Sequence, residues 1–371
     1  MCTQVVGVRL KETDKQVKTF YQKSFVLALA ATVLSLSGCG GTAAPEKKVA
    51  SESVTGRVGL KGAGSSFAYL AYAKWFDAFK KSEPNADVMY QPVGSVDGIK
   101  QLEAGTVDFA GTEVPLTDEE VAKFKVKPMH IPALMGAIVP IYNVTGVDTE
   151  LNFTAKALAG IFSGKIKKWN DPELVKANAG ITLPAESIVV VHRTDGSGTT
   201  YALTDFLSRT NADWKKNFGK HATVKWMVGT GAKTSEELAG KVKQTPNSIG
   251  YVELNNAIAA KVARGTVQNL AGKFQKADLE SMGAAAEAAG HMETDSRVSI
   301  ANAPAKNAYP ICTFNWLLVP SQMEDPDKRT AMRHLLQYMI HDGQKVLMQM
   351  DYGVLPEGVA PALQDTVDKY K

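Results

Sequence analysis

The chain has 371 residues, 44% of them hydrophobic and 8% aromatic, a balance that fills ordinary globular cores and excludes a disordered or low-complexity protein. Its formal charge of +4 is concentrated at the start, because residues 1–38 carry five Lys/Arg against two Asp/Glu, and removing that surplus of three leaves +1. A body so close to neutrality excludes recognition of nucleic acid through bulk charge, and its length suits two domains.

Lys15, Lys18 and Lys23 precede an apolar run from Phe25 to Leu36 that is too short to span a bilayer, which is the pattern of an export signal. Leu36-Ser37-Gly38-Cys39 resembles the lipobox of bacterial lipoproteins, implying removal of residues 1–38 and diacylation of Cys39 as a membrane anchor. Glu12 and Asp14 are unusual in a positively charged leader, so translation is expected to start near Val17. With Cys2 discarded and Cys39 lipidated, Cys312 alone remains, and no intramolecular disulfide is expected despite export. Cys312 lies in an apolar stretch and reads as core. The run from Gly40 to Val58 is small, polar and aperiodic, so residues 39–55 read as lipidated cysteine and flexible tether.

The body then repeats one local device. Gly62-Ala63-Gly64-Ser65-Ser66-Phe67 places glycines and hydroxyls before a helix whose apolar stripe is Phe67, Leu70, Ala71, Trp75 and Phe79. Strand-like Val88 to Tyr90 leads through Pro92-Val93-Gly94-Ser95 into a short helix carrying Ile99 and Leu102. Thr106 to Ala110 reads as a strand ending in Gly111-Thr112-Glu113-Val114-Pro115-Leu116, where a carboxylate stands among turn residues. The fullest case is His192-Arg193-Thr194-Asp195-Gly196-Ser197-Gly198-Thr199-Thr200, between the apolar strand Ile188 to Val191 and a helix over Tyr201 to Arg209. Gly196 and Gly198 let free helix-start N–H groups converge, Ser197 and Thr199 add hydroxyls, and Arg193 adds a forked cation, so the junction suits a compact oxyanion. A Ser/Gly loop before a helix is also the ordinary form of an N-cap, so this motif by itself leaves both readings open. It is not a P-loop, which needs Lys before its Ser/Thr, nor a nucleophile elbow, which needs Gly two residues before Ser; those positions are Gly and Asp.

Ser66, Ser95, Glu113 and the Arg193 loop each sit at a strand end or helix start, and in an open α/β sheet such ends gather at one crevice. These segments, with Gly160 to Asp171 and Ile249-Gly250-Tyr251-Val252-Glu253, resemble the PstS family of periplasmic phosphate-binding proteins, which serve high-affinity phosphate ABC transporters. The resemblance is dense from Gly62 to Glu253, faint over residues 257–308, and returns at Pro310-Ile311 and from Asp351-Tyr352 through Leu355-Pro356. It implies an α/β, bilobal periplasmic-binding-protein fold of type II, with two α/β domains joined by a two-segment hinge around the ligand cleft. Apolar stretches at Ala133 to Ile141 and Ile311 to Val319 suit the crossings, giving one domain from residues 56–133 plus 311–371 and another from 134–310. The phosphate contacts it implies are Ser66 and Phe67, through hydroxyl and backbone N–H, with Ser95, Glu113, Arg193, Asp195, Ser197, Gly198 and Thr199. Glu113 departs from the family, in which this position is more familiar as Asp.

The resemblance further implies inorganic phosphate as ligand, the transporter's permease and ATPase as partners, a monomer, and no cofactor. The histidines at 130, 192, 221, 291, 334 and 341 lack zinc-type spacing, so no metal is expected. Three alternatives remain: a phosphatase or phosphoryl-transfer protein using the same oxyanion shell, a binding protein for sulfate, molybdate or a small organic phosphate, and a signalling or adhesin role.

Overall fold

The computed structural model describes residues 53–288, 296–356 and 358–370; the leader, lipobox and Cys39 lie outside them. Strands β1 (Val58–Gly64), β2 (Ala86–Gln91) and β3 (Phe109–Thr112) run parallel in the order β2-β1-β3, joined by helices α1 (Tyr69–Ser82) and α2 (Ser95–Glu103). The strand expected from Thr106 starts three residues later, and the extended backbone continues through Gly111 and Thr112 to the edge of Glu113. Two connecting strands follow in the sheet: β12 (Cys312–Pro320), antiparallel to β3, and β4 (Pro128–Asn143), antiparallel to β12.

β4 organises the molecule. Its first part, Pro128 to Ala137, pairs with β12, and its second, Ile138 to Asn143, pairs with β8 (Ser248–Glu253). Beyond β8 lie β6 (Val189–Arg193) and β7 (Thr230–Ala232), all three parallel to one another. One strand thus leaves the first sheet region and enters the second. The chain returns beside it, where Ile138 N–H donates to the Ile311 carbonyl at 2.8 Å and the Tyr309 hydroxyl donates to the Ile138 carbonyl at 2.9 Å.

Strand direction then fixes what faces what. β4 runs with β1 to β3 and against β6 to β8, so the carboxyl ends of the two parallel sets point at each other across the crossing. This is the bilobal periplasmic-binding fold, with a crevice lined by strand ends and helix starts. The remaining short strands, β5 (Asn152–Phe153), β9 (Ala263–Arg264), β10 (Thr266–Gln268) and β11 (Phe274–Gln275), finish the second lobe.

Each lobe has its own aromatic core. In the first, α1 buries Tyr72 and Phe76 against Tyr90 and Phe109, while Trp75 donates to the Gly343 carbonyl and Phe79 packs on Tyr338, and each fully buried ring contributes roughly 2–3 kcal/mol. In the second, Trp226 packs on His192 at 5.1 Å and near Tyr251 at 6.1 Å, making a rigid wall behind the end of β6. Cys312 is buried as expected, and burial pushes its thiol pKa well up. A further tie joins the lobes: Ser296 donates to the His130 carbonyl and Arg297 pairs with Asp118 at 2.8 Å, while Ser299 donates to Asp205.

Candidate functional site

Facing the crevice from the second lobe, Arg193 ends β6 and helix α6 (Gly198–Thr210) starts five residues later, inside the motif that the sequence pattern had placed in a loop. Ser197 is the N-cap: its hydroxyl accepts from Thr200 N–H at 3.2 Å, which leaves its own proton available. Arg193 is 3% exposed and held bidentately by Asp195, Nε to Oδ1 at 2.7 Å and Nη2 to Oδ2 at 2.6 Å. Burial opposes the charge on Arg193, but the hydrogen bond and charge of Asp195, with Glu253 behind, outweigh it and hold the pKa above its usual value. A buried guanidinium needs such partners, since an unpaired one costs several kcal/mol.

Facing it from the first lobe, Glu113 follows β3 and is wholly buried. Its Oε1 accepts from the Ser65 hydroxyl at 2.5 Å and from Asn315 Nδ2 at 2.6 Å; its Oε2 accepts from the Ser95 hydroxyl at 3.0 Å. Asn315 is in turn held by the Tyr72 hydroxyl at 2.5 Å, and a register irregularity between Asn315 and Trp316 marks the strand where it turns in. Desolvation raises the Glu113 pKa to about 7; Ser65, Asn315 and Ser95 pull it back, and the charge of Glu253 pushes it up.

The two halves touch. Val96 N–H, in the first turn of α2, donates to the Gly196 carbonyl at 3.0 Å, and Ser66 Oγ stands 3.3 Å from Ser235 Oγ. Gly94 has φ +98, and an ideal Cβ there would lie 2.5 Å from Asp195 Oδ2, so glycine is required twice over. At Gly198 an added Cβ would lie 1.9 Å from Glu113 Oε2 and 2.5 Å from Ser95 Oγ. The carboxylate therefore lies directly against the N-terminus of α6.

Ser66, Ser95, Glu113, Arg193, Asp195, Ser197, Gly198 and Thr199 are all brought to this crevice. Phe67 has only its backbone N–H to add, since its buried ring packs on Gly136 and Tyr352 and its carbonyl accepts from the Tyr352 hydroxyl at 2.8 Å. One expectation needs correction: the Thr199 hydroxyl is not a spare donor, because it donates to Glu253 Oε1. Sequence reasoning missed four residues, Ser65, Ser235, Glu253 and Asn315. Ser235 opens helix α8 (Ser235–Gln244), and its hydroxyl accepts from Arg193 Nη1 at 2.9 Å and donates to Glu253 Oε1 at 3.0 Å. The available signal was a polar residue embedded in an apolar strand, as Asn315 is in β12, or closing one, as Glu253 does after Val252. Among the described residues no group of three or more His, Cys, Asp or Glu side chains is arranged to hold a metal ion.

The comparisons with known proteins agree with this architecture. Residues 42–342 match the PBP superfamily domain. A phosphate-binding protein PstS of Xylella fastidiosa (strain Temecula1) is 36% identical over 312 residues, covering 84% of this chain and 85% of the relative. A phosphate-binding protein PstS of Haemophilus influenzae is 36% identical over 307 residues, with 82% and 91% covered. Among solved structures, a high affinity periplasmic phosphate-binding protein (PfluDING) bound with phosphate superposes with a TM-score of 0.69 at 17% identity, covering 83% of this chain and 93% of the other. At that identity the last likeness speaks for the fold alone, whereas a relative more than a third identical over most of both lengths speaks for descent. On fold and sequence together, the chain belongs to the PstS family of phosphate-binding proteins.

Proposed function

We propose that this protein captures inorganic phosphate between its lobes and delivers it to the permease and ATPase subunits of an ABC transporter for import. The observation that carries the reading is the convergence across one crevice of a buried cation, a glycine-opened helix N-terminus and a carboxylate acceptor. Such a set fits a small anion that itself carries a proton. Lobe one offers the Ser66 hydroxyl and the N–H groups of Phe67 and Ser95, the Ser95 hydroxyl being donated to Glu113; lobe two offers Arg193, Ser197 and the N–H groups of Gly198 and Thr199. Asp195 holds the guanidinium, and Glu113 accepts the ligand's P–OH hydrogen. Sulfate, lacking that hydrogen, would leave Glu113 buried and unpaired, which a site of this kind penalises by roughly 10⁴-fold. The names of the PstS relatives support the same ligand class.

In this reading residues 56–133 plus 311–371 form one lobe and 134–310 the other, and they hinge together at the two crossings around the anion. Residues 1–38 act as the export signal, acylated Cys39 anchors the protein, and residues 39–55 let the body stand off the membrane. The protein works as a monomer, without cofactor, and its task is binding rather than catalysis. Calorimetric titration with phosphate, sulfate and molybdate tests the proposal. Phosphate alone should bind tightly; equal affinity for sulfate would overturn the ligand assignment, and turnover of an aryl phosphate would overturn the non-enzymatic role.

A further inference from the structure

Glu253 closes β8 beneath the crevice, and it is wholly buried. Three donors converge on it: the hydroxyls of Thr199 and Ser235 on Oε1, and Asn256 Nδ2 on Oε2 at 2.7 Å. Neither hydroxyl is idle on its other side. Ser235, 1% exposed, accepts from Arg193 Nη1 at 2.9 Å, and Thr199 Oγ1 lies 3.5 Å from the same nitrogen. A hydroxyl has one proton and two lone pairs, so donating to Glu253 turns the lone pairs of both hydroxyls towards Arg193. Arg193 Nε and Nη2 are taken up by Asp195, and Nη1 by this pair, so the guanidinium plane is set from two sides. Ser235 also faces Ser66 of the other lobe at 3.3 Å.

We propose that Glu253 and Ser235 are positioning residues for anion binding: Glu253 orients the Ser235 and Thr199 hydroxyls as acceptors that fix Arg193, and Ser235 couples that arrangement to Ser66 across the crevice. The inference rests on the phosphate reading above. It has an electrostatic corollary, because the charge of Glu253 helps Glu113 keep its proton. The other titratable groups facing Glu113 are Tyr72, Tyr90 and Tyr352, whose pKa values burial holds far above neutrality, while Arg193 at the end of β6 and Tyr352 face Glu253.

The test is titration of the full chain with inorganic phosphate between about pH 5.5 and 8.5, for the parent, Ser235→Ala, Ser235→Thr and Glu253→Gln, with melting curves for each. Loss of a hydrogen bond to a charged group predicts roughly 10- to 150-fold weaker binding for Ser235→Ala, and Ser235→Thr should recover to within about threefold of the parent. Glu253→Gln should weaken binding about tenfold or more and move the midpoint of the pH dependence downwards, which a merely structural defect would not do. Ser235→Ala within about twofold of the parent, or an equal loss in Ser235→Thr, would overturn the inference even if Glu253→Gln fails to fold. A parent that does not bind phosphate would overturn the functional reading and this one with it; a parent that binds beside silent variants would overturn this one alone.

Discussion

The two walls of the crevice solve opposite electrostatic problems. In the first lobe a carboxylate, Glu113, is surrounded by neutral donors from Ser65, Ser95 and Asn315; in the second a cation, Arg193, is surrounded by charge from Asp195 and Glu253. Neutral donors only partly offset the desolvation of Glu113, so its pKa rests at about 7 and its proton is responsive to conditions. Charged partners more than offset burial for Arg193, so it stays protonated at every physiological pH. The lesson is a division of labour: one wall holds an acid whose proton responds to pH, and the other holds a cation whose charge is fixed by its partners.

The comparison breaks most completely at Arg193. Arg193→Ala should cost about 3–5 kcal/mol of phosphate affinity, because the anion loses its cation while Asp195 remains buried without its partner. A loss below about 1 kcal/mol by calorimetry would mean that Arg193 is only structural. Next comes the proton on the opposite wall. Glu113 has a folded pKa of about 7 against an unfolded value near 4.5, so the folded state binds its proton more tightly. Its contribution is therefore present below about pH 4.5 and lost as pH rises to about 7, a decline on the order of 3 kcal/mol in ligand-free stability. Denaturant titrations across that window should show the slope, and Glu113→Gln should flatten it. The same variant can donate as well as accept, so it should retain phosphate and gain measurable sulfate affinity; unchanged discrimination would remove Glu113 from the selectivity argument.

A smaller effect sharpens how the walls meet. Gly198→Ala would put a methyl group 1.9 Å from Glu113 Oε2, a carboxylate that its donors on the same lobe hold in place. Phosphate should bind about 10-fold more weakly, or about 1.4 kcal/mol, and small-angle scattering should show less compaction on saturation. Parent-like closure would mean that Glu113 swings aside freely. Smallest of all should be Cys39→Ala, which leaves phosphate affinity unchanged while releasing the protein from membranes on fractionation. A variant that still pellets would end the lipoprotein reading.

Much of the site was legible because the motifs that build it are local. Gly196, Ser197 and Gly198 announce a helix start with converging N–H groups whatever the surroundings, and Arg193 and Asp195 are two residues apart, so their pairing needs little more than the turn between them. Strand ends marked by Ser66, Ser95 and Glu113 were legible for the same reason. The apolar runs at Ala133 to Ile141 and Ile311 to Val319, read from the sequence only as stretches suited to a crossing, lie in the buried strands β4 (Pro128–Asn143) and β12 (Cys312–Pro320).

What the sequence could not decide is which distant side chain completes each wall. Asn315 reaches Glu113 from 202 residues away, Ser235 reaches Arg193 from the helix start after β7 and Glu253 reaches Thr199 from the end of β8, because β12 happens to abut β3 and both β7 and β8 abut β6. The resemblance singles out Ser66, but the role of its neighbour is decided by packing, in which Ser65 holds Glu113 while Ser66 faces Ser235. Backbone preferences and helix starts are short-range and are written in adjacent residues. The partners of a buried charge are chosen by sheet order and register, which exist only once the chain has folded.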